Sequence, residues 1–204
     1  MTGSQCLAFR HGEFTTIWTS LDDDIMRFIS KSPENIAAGD GIKHRLGAFF
    51  TPNLLCLFLY RIAHYLFVRR WRRCAAMLSR LNMMLHKANI PAQSCIGPAC
   101  HLPHPAGVTF CGVAGRGLTL YSLAVCCPLE PFADGGVEWG PRLGDNVLVG
   151  GHAVVLGEVV VGSGTKIAFN SRLTQNAPAS AIVISRASRL TSQTRGSERT
   201  LVCL

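Results

Sequence analysis

The chain has 204 residues, enough for one substantial domain or a core domain with a smaller appendage. Hydrophobic residues make up 48% and charged residues 16%, a balance that excludes a disordered chain and demands a buried core. The net charge of +8 suits nucleic acid, a membrane surface, a phosphorylated small ligand or simply a solvated basic face, and charge alone does not separate these.

The opening stretch MTGSQCLAFRHGEF lacks an apolar core, so no signal peptide is expected. Residues 1 to about 50 read as irregular apart from one short helix. There Ser20 is placed to cap LDDDIMRFIS, with aspartates at the positive end of the helix dipole. From Asn53 to about Lys87 the pattern is helical. Leu55, Phe58, Leu59, Ile62 and Leu66, then Met77, Leu78, Leu81 and Leu85, recur at spacings of three and four, as two helices with a break around Val68 to Trp71 require. The most apolar stretch, LLCLFLYRIAHYLFV, is about fifteen residues long and carries Arg61 and His64. It is too short and too polar to span a bilayer, so a soluble protein is expected. Basic charge gathers in RRWRR at Arg69 to Arg73, and again near the end at Arg186, Arg189 and Arg195.

Nine cysteines are scattered without a CxxC pair, and only Cys126 and Cys127 are adjacent. That pattern suggests neither a zinc knuckle nor a disulfide framework, so they are expected to be small buried hydrophobes in a reducing cytoplasm. The ending LVCL puts its cysteine in the wrong place for prenylation.

After Ala88 the period changes. In blocks of six from Leu143, LGDNVL VGGHAV VLGEVV VGSGTK IAFNSR LTQNAP puts an aliphatic residue first and a small one or valine fifth. The same frame holds earlier, led by Ile90, Ile96, Leu102, Val108, Ala114 and Leu120. Such a repeat fits a β-helix in which each block is one short strand of a triangular coil, three blocks complete a turn, and the leading aliphatic points into the prism. The two runs are out of phase by one residue. The slip falls in CCPLEPFADGG, Cys126 to Gly136, which reads as a loop ejected from the coil. The reading therefore divides the chain into an α-helical N-terminal region, 1–88, a β-helical domain, 89–190, and a polar tail, 191–204.

The stretch CIGPACHLPHPAG holds His101 and His104, three residues apart. Three-residue spacing is helical ligand geometry, whereas the flanking prolines argue against a helix and no third ligand lies nearby, so no metal is expected.

LYRIAHYL, then IPAQSCIGPACHLPHPAGVTF, then GDNVLVGGHAVVLGEVVVGSGTKIAFNS, in this order, resemble the serine acetyltransferase family, including its relatives in polysaccharide biosynthesis. The likeness runs from about Lys43 to Leu190. It implies a mainly β fold, a left-handed parallel β-helix of hexapeptide repeats behind a small helical region, assembled as a homotrimer. It also implies acetyl-CoA as co-substrate, bound in the groove between neighbouring subunits, without nucleic acid as a partner. His104, in HPAG, matches the family's general base, a role that suits imidazole because it titrates near neutrality. His101 matches no catalytic position. As the sixth residue of its block it is expected to point outward on the rim. Gly150, Gly151 and Ala168 match slim positions along which pantetheine runs, and Lys166 and Arg189 match basic positions that meet coenzyme phosphates.

The chain departs from the family at two places. Trp139 and Gly140 stand where an arginine and a second histidine are expected, and a tryptophan cannot pair with a substrate carboxylate. It offers instead a flat apolar face suited to a sugar ring or a larger acceptor, or it packs under the loop or at the trimer seam. Asn89 stands where a carboxylate orients the base; as a catalytic position it can still accept a hydrogen bond from the imidazole but gives no charge, so either catalysis is slower or Glu130, Asp134 or Glu138 of the ejected loop supplies the charge. The acceptor side is accordingly assigned to Trp139, Glu138 and Asp134. The expectation is a cytoplasmic acetyl-CoA-dependent O-acetyltransferase acting on a sugar hydroxyl in surface polysaccharide synthesis. The alternatives are a serine O-acetyltransferase of cysteine biosynthesis and a catalytically impaired scaffold. RRWRR adds the expectation of contact with the inner face of a membrane.

Overall fold

The structure, a computed structural model, describes residues 14–31, 51–129 and 140–185. Among the described residues three helices precede a coil of short strands: α1 (Phe14–Lys31), α2 (Pro52–Val68) and α3 (Arg72–His86). The break between α2 and α3 falls at Arg69 to Trp71, as the periodicity requires, and α3 stops at Lys87, whose φ of 57° ends the helical run. Ser20 is not a cap. It lies buried inside α1, which begins six residues earlier and is 18 residues long.

The buried face of α2 also differs from the expected one. Leu54, Leu57, Tyr60, Arg61 and His64 turn inward, whereas Leu55, Phe58, Leu59, Ile62 and Leu66 are half-buried. Counting apolar residues misplaced the stripe because the inner face carries an arginine and a histidine, and both bond to groups outside the helix there. Arg61 pairs with Asp24 of α1 at 3.2 Å and donates to the backbone oxygens of Ile96 and Gly97; Asp24 also accepts from the Cys100 amide at 2.7 Å. His64 Nδ1 bonds the Ala92 carbonyl at 2.8 Å. A buried charge pair of this kind, tied to backbone on both sides, fixes which face of α2 meets the coil.

From Cys95 onward, among the described residues, twelve strands of two or three residues form three parallel four-stranded sheets, the faces of a triangular β-helix. The first face holds β1 (Cys95–Ile96), β3 (Val113–Ala114), β6 (Arg142–Leu143) and β9 (Val160–Val161). The second holds β4 (Thr119–Leu120), β7 (Leu148–Val149), β10 (Lys166–Ile167) and β12 (Ile182–Val183). The third holds β2 (Thr109–Phe110), β5 (Val125–Cys127), β8 (Val154–Leu156) and β11 (Arg172–Leu173). Every leading residue of the six-residue blocks is buried, from Ile90 and Ile96 to Ile167 and Leu173. These stacked aliphatics are the core, and each full burial contributes roughly 1.5–3 kcal/mol.

Two details of the frame need correction. Cys126 and Cys127 belong to β5, so the inserted loop begins after them; Val125 pairs with Val154, a step of 29 where a regular coil takes 18. In the first run the inward strand residue of the third face is Phe110, paired with Cys126, and not Val108, although Val108 is buried as well. The turn that reaches this strand is two residues long in excess, since Asn89 pairs with Thr109, a step of 20, and the next turn is two short, Thr109 to Val125.

Candidate functional site

The two surplus residues can be located. The corner between the second and third faces recurs in each coil with one residue in the left-handed region: Gly107, Leu123, His152 and Asn170, with φ between 57° and 72°. Backbone bonds stack these corners in register, Leu123 N to Ala106 O at 3.1 Å, His152 N to Ser122 O at 3.2 Å and Asn170 N to Gly151 O at 3.0 Å. Pro105 therefore lies under Tyr121, as their equivalent bonds from Val108 N and Ala124 N show, and Leu102 lies under Leu120 through the His101 to Thr119 pairing. What remains between Leu102 and Pro105 is Pro103 and His104. A corner that must accommodate two additional residues can only bulge, and the His104 side chain is exposed on that bulge.

Above it the same edge is slim. Ala106, Ser122 and Gly151 succeed one another, with Gly150 and Ala168 beside them. A Cβ on Gly150 would lie 2.6 Å from the Phe169 amide nitrogen, so the coil itself demands glycine there. Lys166, exposed on β10, stands on the second face two residues before Ala168. The structure thus brings His104, Gly150, Gly151, Lys166 and Ala168 to one edge of the prism. Sequence reading missed Phe169, 58% exposed and tilted against Tyr121 at a centroid distance of 5.2 Å. Its signal was available, since Phe169 sits 18 residues after Gly151, a large ring where the coil below has a glycine. Leu123 and Ile184 are likewise exposed on this edge, which gives it an apolar wall.

The bulge is anchored from the helices. Asn53, at the start of α2, donates through Nδ2 to the carbonyl of Pro103 at 2.9 Å. Asn89 lies one coil below, its backbone paired with the Thr109 strand and its side chain exposed. Among the described residues it makes no hydrogen bond to His104. His101 points away from the prism, as expected of the residue before Leu102, but it is not on an open rim. It is buried beneath α1, 6.2 Å from the Phe28 ring, and burial, reinforced by the charges of Arg27 and Lys31, pushes its pKa down to about 4. It is neutral and structural.

Glu130, Asp134, Glu138 and Trp139, and Arg186 and Arg189, lie outside the described residues. Gly140 is described, and it is buried. A side chain there would collide with the Cys111 carbonyl oxygen, so the position that departs from the family has no room for an imidazole on this backbone. Among the described residues no cluster of three histidine, cysteine or acidic side chains could hold a metal ion.

Residues 140–175 match the family model for the bacterial transferase hexapeptide, six repeats. A serine acetyltransferase of Helicobacter pylori is 30% identical over 129 residues, which cover 62% of this chain and 74% of that protein. The chain belongs to the serine acetyltransferase family. A member from Mycobacterium tuberculosis is 28% identical over 138 residues, 67% of this chain. The chain spans little more than half of that relative and of one from Buchnera aphidicola, 59% and 54%. Solved serine acetyltransferases share the fold. The isoform 3 enzyme of Entamoeba histolytica, crystallised with cysteine, superposes with a TM-score of 0.73 at 23% identity over 93% of this chain and 66% of its own. That of Neisseria gonorrhoeae gives 0.74 at 21% identity over 91% and 70%. The fold is accordingly a left-handed parallel β-helix behind a helical region.

Proposed function

We propose that this chain is an acetyl-CoA-dependent O-acetyltransferase whose general base is His104. The observation that carries the reading is the corner itself. Pro103 and His104 are the pair that the coil does not need, and they hold an exposed imidazole at the foot of a slim edge. In the proposed reaction the imidazole takes the proton of the acceptor hydroxyl while its oxygen attacks the thioester carbonyl. The tetrahedral intermediate collapses, the C–S bond breaks, and the imidazolium returns the proton to the coenzyme A sulfur. The pantetheine arm runs along Ala106, Ser122 and Gly151 against the apolar wall of Phe169 and Leu123, and Lys166, with Arg189, meets phosphate. A homotrimer would close this edge into a groove against the neighbouring subunit. With Asn89 uncharged, either catalysis is slower or an acid of the 130–138 stretch supplies the charge.

The relatives' names favour serine as acceptor, the alternative of the sequence reading, and lend no support to a sugar. One observation favours the sugar as a second reading, namely that Gly140 has no room for the side chain that the family places there. A coupled assay of thiol release from acetyl-CoA, run with serine and with a panel of hexoses, separates the two. His104→Ala should lower the rate by about 10²–10⁴ with unchanged circular dichroism and solution mass; full activity would overturn the assignment. Failure of the wild-type chain to bind coenzyme A in calorimetry would establish the scaffold reading instead.

A further inference from the structure

The feature that acetyl transfer leaves unexplained is the outer face of α3. Ala75, Asn82 and His86 face inward, while Ala75 and Leu78 pack against Ala63, Leu66 and Phe67 of α2. The opposite sector is open and apolar. Met77, Leu81, Met84 and Leu85 are 68%, 42%, 70% and 59% exposed, and Trp71 at the head of the helix is 64% exposed. At 100° per residue these four lie in one sector of about 100°, with Arg73 and Arg80 along its border.

Among the described residues the charge on this helix and the turn before it has one sign. Arg69, Arg70, Arg72, Arg73 and Arg80 are all exposed, and the sequence holds no aspartate or glutamate anywhere from Gly41 to Leu129. Arg72 and Arg73 occupy the first turn of α3, where the positive end of the helix dipole repels them, and that turn carries no acid. Helix stability does not account for them. Arg69 lies over the Tyr65 ring at 5.2 Å and Arg72 over the Phe67 ring at 6.0 Å, so part of the cluster is held against the aromatic end of α2. An apolar stripe bordered by arginines, with a tryptophan at one end and no acid, fits a bilayer surface that supplies hydrocarbon and negative headgroups together.

We infer that α3 and the Arg69–Arg73 turn form a docking face for an anionic phospholipid bilayer, with the helix lying in the interface plane. No helix among the described residues is long and apolar enough to cross a membrane, and the contact is peripheral. Trp71, Met77, Leu81 and Met84 enter the acyl boundary, and the five arginines meet phosphates. The inference does not rest on the acetyltransferase reading, since none of these residues lies on the His104 edge.

The test is sedimentation of the full chain with vesicles of phosphatidylglycerol and phosphatidylcholine, and with phosphatidylcholine alone, at 0.1 M and 0.5 M salt. The chain should sediment with the anionic vesicles, bind neutral ones at least tenfold more weakly, and lose binding as salt rises. Arg72→Gln with Arg73→Gln should weaken binding by about 25-fold, at roughly fivefold for each arginine. Met77→Gln with Met84→Gln should weaken it at least tenfold while solution mass and helical dichroism stay unchanged. No binding to anionic vesicles, or equal binding to neutral ones, would overturn the inference. So would a lower solution mass in the methionine variant, because a second copy of the chain would then be what covers the face.

Discussion

His104 owes its exposure to a hydrogen bond as well as to a surplus. Asn53 holds the Pro103 carbonyl, and without that bond the bulge would keep its length but lose its direction. Asn53→Ala should therefore cost about 1 kcal/mol in urea unfolding. Under the proposed function it should also lower kcat several-fold while KM for acetyl-CoA stays within twofold, since the coenzyme edge is untouched. His101 offers a prediction of a different kind. Its folded pKa, about 4, lies below the ordinary value of 6.5, so the unfolded chain takes up a proton that the folded chain refuses. Stability should fall as pH drops below about 6.5, and the loss should be complete below about 4, on the order of 3 kcal/mol. In His101→Leu the urea midpoint should be flatter between pH 7 and 4; an unchanged acid slope would place the loss elsewhere. The sequence distinguished these two histidines by motif and by position in a block. It could not show that α1 covers one of them, because the partner, Phe28, is 73 residues away in the chain.

At the scale of elements, α1 is tied to α2 and the coil by a buried ion pair, Asp24 to Arg61, with the amide of Cys100 and the carbonyls of Ile96 and Gly97 completing it, beside an exposed pair from Asp23 to Arg116 of the coil. Both side chains of the Asp24–Arg61 pair are almost wholly buried, so neither can lose its partner cheaply. Arg61→Met should destabilise the fold by about 3–5 kcal/mol because it strands a buried carboxylate, and Asp24→Leu should do the same to a guanidinium. The double variant should cost clearly less than the two together, a coupling that thermal unfolding of the four proteins would measure. Additive losses would mean that the pair does not communicate. The existence of α2 and α3 was legible in the three-and-four spacing, and so was the break between them. The inward face of α2 was not, because periodicity scores Arg61 and His64 as polar interruptions, while packing uses them as the groups that bond the coil.

At the scale of the molecule, the triangular prism was legible almost residue by residue, since an 18-residue turn repeats too often for chance and each leading aliphatic had one place to go. What the repeat hid was its own irregularity. A fixed frame of six passes over Pro103 and His104 because the following turn is two residues short and restores the phase, so an insertion and a deletion cancel before the pattern registers either. That cancellation separates fold from chemistry. Deleting Pro103 and His104 together would bring the step from Asn89 to Thr109 down from 20 to the regular 18, leaving every stacked aliphatic, every corner residue and every sheet pairing where it is. The deletion sacrifices the bond from Asn53, about 1 kcal/mol, and removes the bulge. The variant should fold with a melting temperature within a few degrees of the parent and still bind coenzyme A, yet release no thiol in the presence of any acceptor. Collapse of the fold would show that the coil needs the bulge, and persistent transfer would show that the base lies elsewhere on the edge.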